Sequence, residues 1–586
     1  MDLQILEDLV LVSPRRKVLV MKNYYFVGLL LFLFFGHAIH ARTQTILDYQ
    51  SRIHPEISSD FMVVTQNKHA TEVGYEILRQ GGNAVDASVA VGFALAVTLP
   101  RAGNLGGGGF ILIYDNEEDK ISSIDYRSAA PKSSTSEMFL EDDNVVKFGH
   151  LVNAVPGSVA GLLKAHEVHG SLPLSILLKP AIRLAKNGFE VTHDLNFVLT
   201  WGAESLLKNQ VSKEKFYDQS EEAVSVKSLF KQPNLAKTLF MISKKGKEVF
   251  YEGEIANWIS SESLSNGGLI TLDDMASYEA KSRTPIETDY RGYRIVSMPP
   301  AASGGLVLLQ TLNILENFNL KESGHNSAET IHILSEAMQR AFADRAEYHG
   351  DPDFYDVPVN QMLNKEYASD RAGSILDRRT PDGEIFKGEL KQYDESPDTT
   401  HFSIIDSNGN AVSNTYTLGS SFGSGVTIEK GGFLMNNQMR NFSHFYGQED
   451  AEYGTSEANR LEPGKRMIST QTPTFVFRPN GDLMMILGSP GGGKIPNVIT
   501  QVISNVIDHN MSFSEAVMAP RINQRLEGKL QLESGFSPDT TKLLIEKGHE
   551  LETSKTMGSV QAIFLDQELI FGVADTRRPG ALARGN

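Results

Sequence analysis

The sequence contains no cysteine. That excludes disulfide cross-links, thiolate zinc sites and a cysteine nucleophile. Basic residues are in deficit: 55 Lys and Arg stand against 72 Asp and Glu, for a net charge of -17. The one basic cluster is Arg15-Arg16-Lys17, which is no footprint for a phosphate backbone, so no nucleic-acid partner is expected. Repeats and low-complexity tracts are absent. So is an apolar run long enough for a membrane span. Tyr24 to Phe35 is apolar for the most part, but a span needs about 20 residues. With Met21-Lys22-Asn23 before it and Gly36-His37-Ala38 after it, this run reads as a secretory signal, placed at 21–38 or 21–41 within a leader of residues 1–41. An uncleaved anchor is the alternative reading, and Met21 an alternative start. Export without cysteine suits a bacterial periplasm better than a disulfide-rich extracellular setting.

What is present is ample apolar material, 41% of 586 residues, enough for a large core. Asp398-Thr399-Thr400-His401-Phe402-Ser403-Ile404-Ile405-Asp406 leads through Ser407-Asn408-Gly409-Asn410 into Ala411 to Thr417. Asn-Gly between two β-branched runs predicts a hairpin. A three-residue loop with Gly409 in the left-handed region pairs Asp406 with Asn410 and sets Thr417 opposite Thr399; a two-residue loop would bring Leu418 there instead. Facing threonines are ordinary in strands. Cleavage before Thr399 would change their meaning, because hydroxyl and α-amine would then share one residue. The hydroxyl becomes a nucleophile with a built-in base of pKa about 7.7–8.0.

Elsewhere, apolar spacing predicts helices over 70–81 and 84–97, the second buried all round. Asn104-Leu105-Gly106-Gly107-Gly108-Gly109 runs into a strand at 110–114, the wrong order for a dinucleotide fingerprint and better suited to close backbone approach. A second strand, 121–126, ends at Arg127. Residues 150–390 read as mostly helical scaffold, with helices over 306–317 and 327–349. The polar segment 378–397 would leave a cleavage site at its end accessible. Later come a strand at 432–435, a long loop at 442–464 of the kind that forms lids, and Gly488-Ser489-Pro490-Gly491-Gly492-Gly493-Lys494 between a strand at 483–487 and a helix at 498–508. This last stretch matches the start of a phosphate loop, but Ile495 stands where a Ser or Thr must reach magnesium. A nucleotide site is therefore rejected. Glycine N–H groups at such a turn can instead hold an oxyanion.

These motifs, from about residue 45 onward, resemble the gamma-glutamyltransferases, N-terminal-nucleophile hydrolases that cut themselves before a Thr. The resemblance implies an α+β fold, the four-layer αββα sandwich, with residues 42–398 as large subunit and 399–586 as small subunit, cut between Asp398 and Thr399. It implies Thr399 as nucleophile, Thr417 as its positioning partner, and Gly491 and Gly492 as oxyanion donors. Arg127, Ser469 and Thr470 would hold the substrate α-carboxylate, with Gln438 and Asn441 beside them. No metal or cofactor is expected. The implied activity transfers a gamma-glutamyl group, from glutathione or another gamma-glutamyl compound, to water, an amino acid or a dipeptide.

Five positions depart from the family pattern. Gly419 stands for Asn, Arg440-Asn441 for Asp-Asp, Gly493 for Ser and Thr470 for Ser. The second Asp pairs with the substrate α-ammonium in the family, and Asn441 carries no charge to do so. A glutaryl or cephalosporin-type acylase of the same superfamily is therefore the first rival reading, and a secreted non-catalytic homologue the second.

Overall fold

The computed structural model describes residues 51–141, 144–385, 399–443 and 456–586. The signal reading, Asp398 with the polar segment after residue 385, and residues 444–455 of the expected lid lie outside these ranges.

Two seven-stranded antiparallel sheets form the centre. In the first, the order across the sheet is Leu582–Gly585, Met62–Thr65, Thr400–Ile405, Ala411–Thr417, Gly108–Asp115, Lys120–Tyr126 and Lys281–Arg283. In the second it is Glu56–Ser58, Leu569–Ala574, Gln561–Asp566, Leu483–Gly488, Thr474–Phe477, Tyr293–Ser297 and Ile286–Tyr290. Strand alternation separates two kinds of neighbour. Phe402, Ile404 and Val412 face helices outside the first sheet. Ile405 and Ala411 point inward and pack with Phe475, Ile486 and Ile563 of the second sheet.

Each outer face is covered by helices. Lys68–Arg79, Ala84–Thr98 and Ser158–His169 lie on the first sheet. Every residue of Ala84–Thr98 is buried, as its richness in Ala and Val predicts. Its start is fixed by a capping box, Asn83 Oδ1 accepting from Asp86 N at 2.9 Å and Asp86 Oδ2 from Asn83 N at 3.0 Å. Ser303–Leu315, Ala328–Tyr348 and Ile495–Ile507 form the layer against the second sheet. The result is the expected αββα sandwich.

Both sheets draw strands from either side of residue 399. Met62–Thr65 lies between Leu582–Gly585 and Thr400–Ile405, and the later strands at the middle of the second sheet are flanked by Glu56–Ser58 and Tyr293–Ser297. Two expectations need correcting. The span 150–390 is largely helical but also supplies the strands Lys281–Arg283, Ile286–Tyr290 and Tyr293–Ser297. The strand expected at 432–435 is reduced to isolated bridges, Thr427 with Leu434 and Gly106 with Met435. Gly432, at φ +68°, turns the chain there, and the residues after it bond in two different directions.

Candidate active site

The hairpin has the predicted register. Thr400 pairs with Tyr416 and Ile405 with Ala411, Asp406 N donates to Asn410 O at 3.0 Å, and Gly409 has φ +82°. One step beyond the paired residues, Thr399 faces Thr417. Both are buried, and both line a pocket with Arg127, Asn441, Ser469, Thr470 and Gly492. Seven of the nine side chains and glycines assigned from sequence thus meet in one place. The other two sit directly behind. Gln438 Nε2 donates to Thr417 O at 2.7 Å, and Gly491, at φ +143°, precedes Gly492 in the turn and packs against Gly558.

The inward face of the hairpin is polar near Thr399. His401 lies between the hydroxyls of Thr415 (2.8 Å) and Ser403 (3.1 Å), and Ser403 Oγ donates to Gln561 O at 3.0 Å in the opposite sheet. Burial pushes the His401 imidazole down to about 3, so it is neutral and structural rather than a base. Its ring fills the space where a side chain at Gly488 would be, 2.3 Å from an added Cβ.

Close approach also explains the glycine run. A Cβ added at Gly106, Gly107, Gly108 or Gly109 would fall 2.2 to 2.6 Å from backbone atoms, Thr417 O among them. The run lets the strand Gly108–Asp115 press against Thr417, as the sequence suggested.

Arg127 closes the strand Lys120–Tyr126 and is 1% exposed. Its N–H donates to Asp125 Oδ1 at 2.9 Å and its carbonyl accepts from the Tyr278 hydroxyl at 2.8 Å, which fixes the backbone. The guanidinium Nη2 donates to Asn441 Oδ1 at 3.1 Å and to Ile468 O at 3.4 Å. Asn441 in turn is held through its own carbonyl, which accepts from Asn459 Nδ2 at 2.7 Å. Thr470 Oγ1 donates to Gly492 O at 2.8 Å, so one hydroxyl ties the expected carboxylate clamp to the glycine turn.

The departures have local causes. Gly419 has φ +100°, and an added Cβ would sit 2.4 Å from Asn437 Oδ1. Asn437 occupies that space by bonding Ser420, accepting from its N–H at 2.9 Å and donating to its hydroxyl at 2.9 Å. Arg440 Nη1 reaches the same hydroxyl at 3.4 Å, so its positive charge does border the pocket. At Gly493 an added Cβ would come within 3.3 Å of the flexible Arg525 guanidinium. Sequence reasoning passed over Asn437 and Ser420; the polar run Asn436-Asn437-Gln438 was the available signal. Among the described residues no group of three or more His, Asp or Glu is placed to hold a metal ion, and no helix is long and apolar enough to cross a membrane.

The model of the family described as gamma-glutamyltranspeptidase matches residues 70–585. This chain belongs to that family. It is 44% identical over 544 residues to the glutathione hydrolase proenzyme of Escherichia coli (strain K12), covering 91% of this chain and 93% of that one. It is 35% identical over 552 residues to the acylase ACY 1 proenzyme of Pseudomonas sp. (strain SE83), covering 91% and 95%. Among solved structures, the cephalosporin acylase from Bacillus halodurans superposes with a TM-score of 0.81 at 28% identity, covering 93% of this chain and 99% of that chain. A gamma-glutamyltranspeptidase is an enzyme, and the rival reading as a non-catalytic homologue falls away.

Proposed function

We propose that this gamma-glutamyltranspeptidase family member cuts itself between Asp398 and Thr399, and that the new Thr399 then works as a glutathione hydrolase and gamma-glutamyltransferase. The observation that supports this best is Thr399 at the head of a central strand, opposite Thr417 and in one pocket with Arg127, Ser469, Thr470 and Gly492.

The Thr399 hydroxyl attacks the γ-amide carbonyl, and its own α-amine takes the proton. Thr417 orients the nucleophile; its Oγ1 is itself fixed by the Gly419 N–H at 2.9 Å. The N–H groups of Gly491 and Gly492 stabilise the tetrahedral oxyanion. The amine leaves with a proton and an ester remains. Water or an incoming amine resolves that ester. Arg127, Ser469 and Thr470 hold the α-carboxylate, a task suited to a guanidinium fork. Residues 42–398 and 399–586 would stay together as large and small subunits of an exported, periplasmic enzyme whose leader ends by residue 41.

Purified protein should show two bands, the smaller beginning Thr-Thr-His-Phe-Ser and 188 residues long (586 − 398). It should release the amine from gamma-glutamyl-p-nitroanilide. One uncut band with full activity would overturn the mechanism. A glutaryl-accepting acylase is the second reading. It is favoured by the neutral Asn441, whose Oδ1 is taken up by Arg127, and by the acylase relatives.

A further inference from the structure

Gln471 is 1% exposed and lines the catalytic pocket, two residues on from Ser469. Its backbone N–H donates to Ser469 Oγ at 3.4 Å. On either side the hydroxyls have partners within the protein, Thr470 Oγ1 donating to Gly492 O and Thr472 Oγ1 to Thr470 O, both at 2.8 Å. The Gln471 side chain differs. Among the described residues neither its Oε1 nor its Nε2 has a hydrogen-bond partner. A buried amide in that condition costs stability, and most buried polar groups are bonded for that reason. An unpartnered amide at the wall of a pocket points to a ligand that bonds it.

A gamma-glutamyl donor brings an α-carboxylate and an α-ammonium. The carboxylate is assigned to Arg127. The ammonium carries only donors and needs acceptors. Among the described lining residues none is Asp or Glu, and three carry a side-chain amide: Asn437, Asn441 and Gln471. Asn437 Oδ1 already accepts from the Ser420 N–H at 2.9 Å, and Asn441 Oδ1 from Arg127 Nη2 at 3.1 Å. Of the three, the Gln471 oxygen is the one unengaged among the described residues. No bond to those residues fixes which way its amide faces, so the oxygen can be turned to a cation. The segment that carries it also runs along Arg127, which donates through Nε to Met467 O and through Nη2 to Ile468 O, both at 3.4 Å. The α-ammonium sits on the same carbon as the carboxylate held at Arg127, so it enters beside this segment.

We infer that Gln471 is a specificity-determining residue that accepts a hydrogen bond from the substrate α-ammonium. The neutral Asn441, already bound to Arg127, leaves this task open. The inference rests on the proposed gamma-glutamyl chemistry and adds the residue that tells a gamma-glutamyl donor from a glutaryl one.

The test uses the mature enzyme and the ratio of kcat/KM for gamma-glutamyl-p-nitroanilide to that for glutaryl-p-nitroanilide. Gln471→Met keeps an unbranched side chain of similar length but has no oxygen. It should lower the ratio about fivefold. Gln471→Glu keeps an acceptor and adds charge, so there the ratio should hold or rise. The Tm separates this role from a structural one. Removing an unpartnered buried amide in Gln471→Met should leave the Tm unchanged or raise it. An unaltered ratio in Gln471→Met would overturn the inference. So would a lowered Tm or a failure to fold, since the amide would then be bonded within the protein. Calorimetric binding of L-glutamate and of glutarate gives the same comparison without turnover. If wild type releases no p-nitroaniline from either donor, the acyl-transfer reading falls, and the two binding constants still decide on Gln471. A preference for L-glutamate about fivefold smaller in Gln471→Met supports the role, and an equal preference overturns it.

Discussion

Changing Asn441 to Asp offers the sharpest reading of substrate scope. At present Arg127 Nη2 donates to a neutral amide oxygen at 3.1 Å. A carboxylate there would keep that bond and leave one oxygen for a substrate ammonium. A hydrogen bond to a charged group contributes about 1.5–3 kcal/mol and a neutral one about 0.5–1.5, so the gain is on the order of 1–2 kcal/mol, or about tenfold in discrimination. The new carboxylate also competes with the substrate for the Arg127 guanidinium. That penalty falls equally on gamma-glutamyl and glutaryl amides, because both present a carboxylate, and it cancels in their ratio. The quantity to measure is therefore kcat/KM for gamma-glutamyl-p-nitroanilide divided by that for glutaryl-p-nitroanilide. Asn441→Asp should raise it about tenfold. Arg440, which already reaches into the pocket through Ser420, is a rival partner for the new charge, so Arg440→Asp with Asn441→Asp is run beside it. A ratio unchanged in both variants would show that the ammonium is bound elsewhere.

Arg127→Lys keeps the charge but loses the fork; KM for the gamma-glutamyl substrate should rise strongly while the two bands on a gel persist, and unchanged kinetics would move the carboxylate site. Gly419→Asn should lower the Tm, since φ +100° and the Asn437 amide 2.4 Å from an added Cβ both oppose it; the backbone alone costs about 1–2 kcal/mol, and an unchanged Tm would refute that account. Acid should destabilise the fold through histidines held neutral by burial, with His401 and His349 both pushed down to about 3. The unfolded chain binds their protons below about 6.5, so this stability is complete above that pH and is lost as pH falls towards 3. Each such group contributes at most about 1.4 kcal/mol per pH unit. His401→Gln should flatten the dependence of the urea midpoint on pH between 6.5 and 4.5, and an unaltered slope would remove His401 from the explanation.

The hairpin was legible in the sequence because a local device, Asn408-Gly409, sets its register, and the observed φ of +82° at Gly409 is the conformation that device requires. The glycine run before the strand Gly108–Asp115 was legible for a similar reason: only backbone fits there. Arg127, Ser469 and Thr470 were legible through motif resemblance, since nothing in their local spacing says that residues so far apart in the chain share a pocket. The failures are of the opposite kind. Lys281–Arg283 and Ile286–Tyr290 are strands because sheet edges at Lys120–Tyr126 and Tyr293–Ser297 are there to receive them. Periodicity inside such short segments is too brief to reveal it. The stretch at 432–435 carried strand-forming residues but met two separate partners instead of one edge.

The mixed origin of the strands in both sheets has a consequence for how such a protein can be lost and regained. An intact chain folds as one molecule, at a rate independent of concentration. If the chain is severed before Thr399 as proposed, the same architecture would consist of two partners, neither holding a complete sheet. Unfolding would release both at once, and recovery would require them to find each other again with their exposed edges unguarded. Maturation would thus exchange a repeatable folding reaction for a practically one-way persistence set by the height of the unfolding barrier. A protein so divided would survive by the slowness of coming apart, more than by any ability to reassemble.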